Sequence, residues 1–183
     1  MKIIQLILIV VIYVTNVFGQ NRGSTIEDKN KSNLKTENNK SKDEEFVIKA
    51  AKGGMKEVAM GNEGNSKASN ARVKNFANMM VRDHTKANNE LKEMAAKHKI
   101  KLPSDNDKMD MHNSINKTGA DYDKEYMHMM VKDHMKDIDL FKMESKNGKN
   151  AEWKSWASKM LPTLQMHLDS AKAIESSLTK FNQ

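Results

Sequence analysis

Three of the chain's six histidines, His84, His134 and His167, carry its strongest chemical signal. Two of them sit in copies of one motif. Met79-Met80-Val81-Arg82-Asp83-His84 recurs as Met129-Met130-Val131-Lys132-Asp133-His134, and an aromatic, Phe76 or Tyr126, precedes each copy at the same distance. Such a match implies two helices with equivalent inward faces, each placing one imidazole at the same point. A neutral imidazole in a helical core needs hydrogen-bond partners, or its burial costs about 1–3 kcal/mol. Three of them from three helices satisfy one another through a metal ion, and imidazole suits copper, zinc and iron. Asp83 and Asp133 point away from their neighbouring histidines on their own helices, so each is placed to orient a histidine of another helix. The bland alternative is a structural polar layer, in which each ring bonds a carboxylate or a backbone carbonyl and no ion binds.

Methionine is the second unusual feature, with 15 in the chain. Met109-Asp110-Met111-His112 and Met127-His128-Met129-Met130 set thioethers beside imidazoles, a soft ligand set that favours Cu(I). Methionine also fills cores in place of leucine, and exposed methionines absorb oxidant. A di-iron carboxylate centre needs two Glu-x-x-His motifs. Only Glu125-Tyr126-Met127-His128 has that spacing, and its repeat-equivalent positions are Asn75 and Asn78.

Other chemistries lack their residues. There is no Gly-x-Ser-x-Gly elbow, P-loop, dinucleotide fingerprint or His-Glu-x-x-His motif. The chain has no cysteine, so disulfides, thiol catalysis and thiolate ligands are excluded. No catalytic residue is assigned. The net charge is +7, yet among 31 basic residues only Arg22, Arg72 and Arg82 are arginine. Lysines alternating with acids along helices describe a solvated face rather than a nucleic-acid surface.

Four helices must position these residues. The sequence predicts helix over 43–61, 66–99, 120–147 and 150–181, and no strand. Gly61-Asn62-Glu63-Gly64-Asn65 reads as the first loop, and Ser66 as the N-cap of the second helix. The second helix has the clearest stripe: Val73, Ala77, Met80, His84, Ala87, Leu91 and Met94 keep one face toward a partner. On the third, Met127, Met130, His134 and Phe141 repeat the spacing, with Asp137 the polar exception. On the fourth, Ala157, Met160, Leu164, His167, Ala171 and Ile174 do so. Pro162 is expected to kink or restart that helix. Counting from the loops sets His134 and His167 about one turn apart in height. It sets Glu57 about 15 Å from the level of His84, where Glu57 would pair with a base such as Arg72.

These lengths suit an all-α four-helix bundle. The connector between the second and third long helices, with a short extra helix capped by Ser104 or Asp105, either crosses the bundle, as in ferritin-like folds, or simply turns. Before the bundle, residues 1–19 read as a signal peptide, with Lys2, an apolar run over Ile3–Val14 and a cut before Gln20. That run is shorter than the ~20 residues that span a bilayer, so no transmembrane span remains after cleavage; an uncleaved anchor is the rival reading. Residues 20–42 lack the apolar side chains needed to fold and read as a disordered polar linker, leaving 43–183 as the bundle domain.

Four blocks carry a family resemblance. They are Phe46-Val47-x-x-Ala50-Ala51-x-Gly53-Gly54-Met55-x-Glu57-Val58, Val73-Lys74-x-Phe76-Ala77-x-x-Met80-Val81-x-Asp83-His84, Tyr126-Met127-x-x-Met130-Val131-x-Asp133-His134 and Leu161-Pro162-Thr163-Leu164-Gln165-x-His167-Leu168. Over residues 44 to about 175 the chain resembles the bacterial domain-of-unknown-function 4142 family. The resemblance implies a ferritin-like four-helix bundle exported to the periplasm or outer membrane of a Gram-negative bacterium, with no established reaction. The positions it carries over are Glu57, Asp83, His84, Asp133, His134 and His167. Two functions fit: an exported protein that binds a copper, zinc or iron ion through its core histidines, or a non-catalytic structural or interaction protein of the cell envelope with a purely structural polar core.

Overall fold

The architecture follows from four amphipathic stripes that bury one another. A computed structural model describes residues 41–104 and 115–180. It contains helices α1 (Lys42–Lys67), α2 (Ala71–Lys97), α3 (Gly119–Asn147) and α4 (Ala151–Lys180), and no strand among the described residues. The signal peptide and the linker up to residue 40 lie outside the described residues, as does 105–114, where the short connector helix is expected. Ser41 and Lys42, assigned to the linker, instead start α1: the Ser41 hydroxyl accepts from Glu44 N at 3.1 Å. Asp43, Glu44 and Glu45 follow in its first turn, where acids suit the positive end of the helix.

The first loop is shorter and later than the sequence implies. Gly61 to Asn65 continue α1, and only Ala68–Asn70 turn the chain. Those glycines serve contact rather than flexibility. A Cβ at Gly61 would lie 2.8 Å from Val81 Cγ2 and 2.9 Å from the Ala77 carbonyl oxygen. One at Gly64 would lie 2.8 Å from Ala77 Cβ and 3.2 Å from the Tyr126 ring. Glycine here lets α1 close onto α2 and α3, and that packing outweighs its poor helix propensity. Asn70, not Ser66, caps α2, its side chain accepting from Arg72 N at 2.8 Å.

The two hairpins are built alike and clamp each other. Asn150 caps α4 as Asn70 caps α2, accepting from Glu152 N at 2.8 Å. The buried Asp123 at the start of α3 accepts from Ser69 N at 3.0 Å and Asn70 N at 2.9 Å in the α1–α2 turn. The buried Asp43 at the start of α1 accepts from Lys149 N at 3.0 Å and Asn150 N at 2.7 Å in the α3–α4 turn. Each carboxylate thus answers backbone donors that a helix start leaves unpaired.

These contacts fix direction. Asp43–Lys149, Lys56–Asp133 and Ser69–Asp123 run in opposite order along α1 and α3, so those helices are antiparallel. Lys97–Glu152, Glu90–Lys159 and Arg72–Ser177 make α2 and α4 antiparallel too. With α1–α2 and α3–α4 as hairpins, α2 and α3 run parallel, so the end of α2 and the start of α3 lie at opposite ends of the bundle. The fold is a ferritin-like four-helix bundle. α4 runs unbroken through Pro162, so the helix does not restart there. Pro162 is exposed, as is Ser158, whose carbonyl loses its N–H partner there, so solvent meets the open group.

Two apolar clusters fill the interior. Phe46, Phe141 and Trp156 meet edge-on or tilted with ring centroids 5.1–6.1 Å apart near one end, where Trp153 is also buried. Phe76, Met80, Tyr122, Tyr126, Met127 and Met130 fill the other. Between them lies a polar layer of Glu57, His84, His134 and His167, all buried.

Candidate metal centre

One ring comes from each of α2, α3 and α4. The centroids of His84, His134 and His167 form a near-equilateral triangle with sides of 5.7, 5.3 and 5.3 Å. One ring nitrogen from each lies within 4.8 Å of the other two. The His134 and His167 rings meet directly, His134 Nε2 lying 3.4 Å from His167 Nδ1.

The outer nitrogens fix the tautomers. His134 Nδ1 lies 2.9 Å from the Met130 carbonyl, which only accepts, so Nδ1 carries the proton and Nε2 a lone pair. His167 Nε2 lies 3.0 Å from Asp83 Oδ2. Arg82 and His167 hold that carboxyl below its usual range, Arg82 chiefly, so Asp83 is an ionised acceptor and His167 Nδ1 is the lone pair. His84 Nδ1 lies 2.9 Å from Glu57 Oε2, and its Nε2 is buried without a partner. Two lone pairs and the unpartnered Nε2 of His84 are therefore enclosed together in the core.

Protonation is a poor remedy. Burial pushes His84 and His167 down to about 4 against the pull of nearby aspartates, and lowers His134 against the attraction of Glu57. All three rings are neutral at pH 7, the form that ligates metal. Zinc– or copper–imidazole bonds of ~2.1 Å space their nitrogens about 3.4–3.6 Å apart. The His134–His167 pair already has that spacing, and the third ring needs only a small movement.

Glu57 stands level with the rings, contrary to the 15 Å separation counted from the loops. α1 runs past the predicted loop, which moves the turn six residues on and lowers Glu57 into the layer. Arg72, its expected partner, bonds Ser177 Oγ at 3.0 Å instead. Burial raises the Glu57 carboxyl, and burial with the adjacent Glu57 raises Asp137 to about 8. The Glu57 charge beside it opposes ionisation of Asp137. Asp137 was visible in the sequence only as the polar break in the α3 stripe. Asp133 is not beside a ring: it pairs with Lys56 Nζ at 2.6 Å, because its helical position faces α1 where Lys56 passes. His128, from the single Glu-x-x-His spacing, is exposed and pairs with Glu175. Met127 and Met130 are buried in the apolar core, Met135 is exposed, and Met109 and Met111 lie outside the described residues.

A cavity of about 50 Å³ adjoins the layer, lined by His84, His167, Glu57, Asp83 and Asp137 among others.

The pattern of the family described as Domain of unknown function (DUF4142) matches residues 29–174. The chain belongs to this family. The DUF4142 match spans all four helices. No curated protein matches the sequence significantly. Two solved structures share the fold. One is described as CopM in the Cu(II)-bound form, 14% identical with a TM-score of 0.58. The other is CopM in the Ag-bound form, obtained by co-crystallization, 16% identical with a TM-score of 0.59. Each alignment covers 74% of this chain and 96% of the other. Among the described residues of this DUF4142 chain, no helix is long and apolar enough to cross a membrane.

Proposed function

We propose that this chain is an exported protein that holds one transition-metal ion, copper in the first instance and zinc in the second, between His84, His134 and His167. The observation that carries the reading is the 3.4 Å approach of His134 Nε2 and His167 Nδ1, two lone-pair nitrogens, beside the unpartnered Nε2 of His84. A cation at that point turns three inward ring nitrogens into ligands. Neutral imidazole is a borderline donor that takes both metals, and copper exceeds zinc in affinity at an unconstrained nitrogen site. The Cu(II)- and Ag-bound forms of the structurally similar CopM support a copper-group ion. Asp83 and Glu57 orient two of the rings through their outer nitrogens, as carboxylates behind metal-bound histidines commonly do. The N-terminal sequence supports export to the periplasm or outer membrane of a Gram-negative bacterium. The test is competition for Cu(II) and Zn(II) against a chromophoric chelator at pH 7. Stoichiometric binding that weakens at least about 100-fold in His84→Ala/His134→Ala/His167→Ala supports the reading. Equal binding by the variant assigns the ion to the surface and leaves the layer structural.

A further inference from the structure

We infer that a metal ion held by the three histidines keeps one coordination position open toward the adjoining cavity, so that the centre takes a small exogenous ligand of water size. This rests on the metal-binding reading above. The three rings leave the side of the site toward Phe141 and Trp156 unfilled, and the cavity lies there, lined from all four helices. There α1 presents Gly54, which has no side chain, and Glu57, whose carboxylate is engaged by the outer nitrogen of His84 and so lies behind that ring. Both residues line the cavity, as do the His84 and His167 rings, while His134 does not. The space is about 50 Å³, and one water needs roughly 10–15 Å³ on this measure, so it holds on the order of three waters. A ligand of two or three atoms fits, and an aromatic ring does not.

The cavity wall is mostly apolar and carries a few polar groups. Asn88 lines it with an amide that lies against Gly54, where any Cβ would displace it. The carboxyls of Glu57 and Asp137 line it as well. Three protein nitrogens with an open fourth position is the arrangement of exchangeable centres, whereas closed structural sites take all four ligands from the protein. A purely storing site would have no need of the space.

The test loads the protein with one Cu(II) per chain and titrates it with azide, then with imidazole, following the ligand-to-metal charge-transfer absorption. A saturable azide band, with imidazole unable to displace it, is expected. Ala87→Leu, which fills the cavity from α2 one turn beyond His84, is expected to retain copper and lose at least 10-fold in azide affinity; Thr163→Leu repeats the test from α4. A copper-loaded native protein that shows no azide band overturns the inference, as does imidazole binding as tightly as azide. Failure of the native protein to take up copper overturns the metal-binding reading itself, and metal content reads that outcome separately.

Discussion

His134 Nε2 and His167 Nδ1 face each other at 3.4 Å while their outer nitrogens are committed to the Met130 carbonyl and the Asp83 carboxylate. Neither has a proton to offer the other. The contact stays unfavourable until a cation enters, and the fold holds it in place through the close packing of α3 on α4.

Asp83 anchors one side of that pair. Asp83→Asn removes the charge behind His167 and lets the amide present the wrong group to its Nε2–H. Metal affinity is expected to fall 10- to 100-fold, the usual effect of losing such a partner, with the melting temperature of the metal-free protein nearly unchanged because Asp83 is partly exposed. Chelator competition measures the first and calorimetry the second. An unchanged affinity would show that His167 does not depend on Asp83.

Asp137 should reveal itself through pH. Its folded value of about 8 lies above the ordinary 3.8, so the folded state holds its proton more tightly than the unfolded chain. The stability from that proton is complete below the ordinary value and is lost as pH rises toward 8. Asp137→Asn keeps a donor toward Glu57 without the titration. Its melting temperature relative to native protein should therefore climb between pH 5 and pH 8, by at least about 4 °C, the shift that ~1 kcal/mol gives a domain of this size. A difference that does not vary with pH would contradict the raised Asp137 value.

Gly64→Ala tests the close helix approach. Alanine normally favours a helix over glycine by about 1 kcal/mol. Here the new methyl would meet Ala77 Cβ at 2.8 Å and the Tyr126 ring at 3.2 Å. Overpacking costs typically 1–3 kcal/mol, so net destabilisation is expected in denaturant unfolding. A more stable variant would mean that α1 has room to shift.

The same glycines explain what the sequence concealed. Stripe spacing was enough to put His84, His134 and His167 on inward faces and to give four helices with nearly correct limits for α3 and α4. It failed between α1 and α2, because Gly61 and Gly64 look alike whether they break a helix or let two helices touch. That one misplaced loop displaced Glu57 from the layer and gave Ser66 the cap that Asn70 makes. Local pattern was equally silent on Asp133 and Asp137. Each is an aspartate on α3 near His134, and only the position of α1 gives one to Lys56 and the other to Glu57. The direction of α3 was open as well, since it is set by contacts such as Lys56–Asp133 between residues far apart in the chain.

The central claim is that one ion sits among three imidazoles, and metal analysis of residues 20–183 tests it most directly. The protein would be purified without a histidine tag, loaded with copper or zinc, and dialysed exhaustively beside His84→Ala/His134→Ala/His167→Ala. One ion per chain in the native protein and none in the variant is the expected result. No retained metal in either, or the same amount in both, would contradict the claim and leave the histidines as a structural layer.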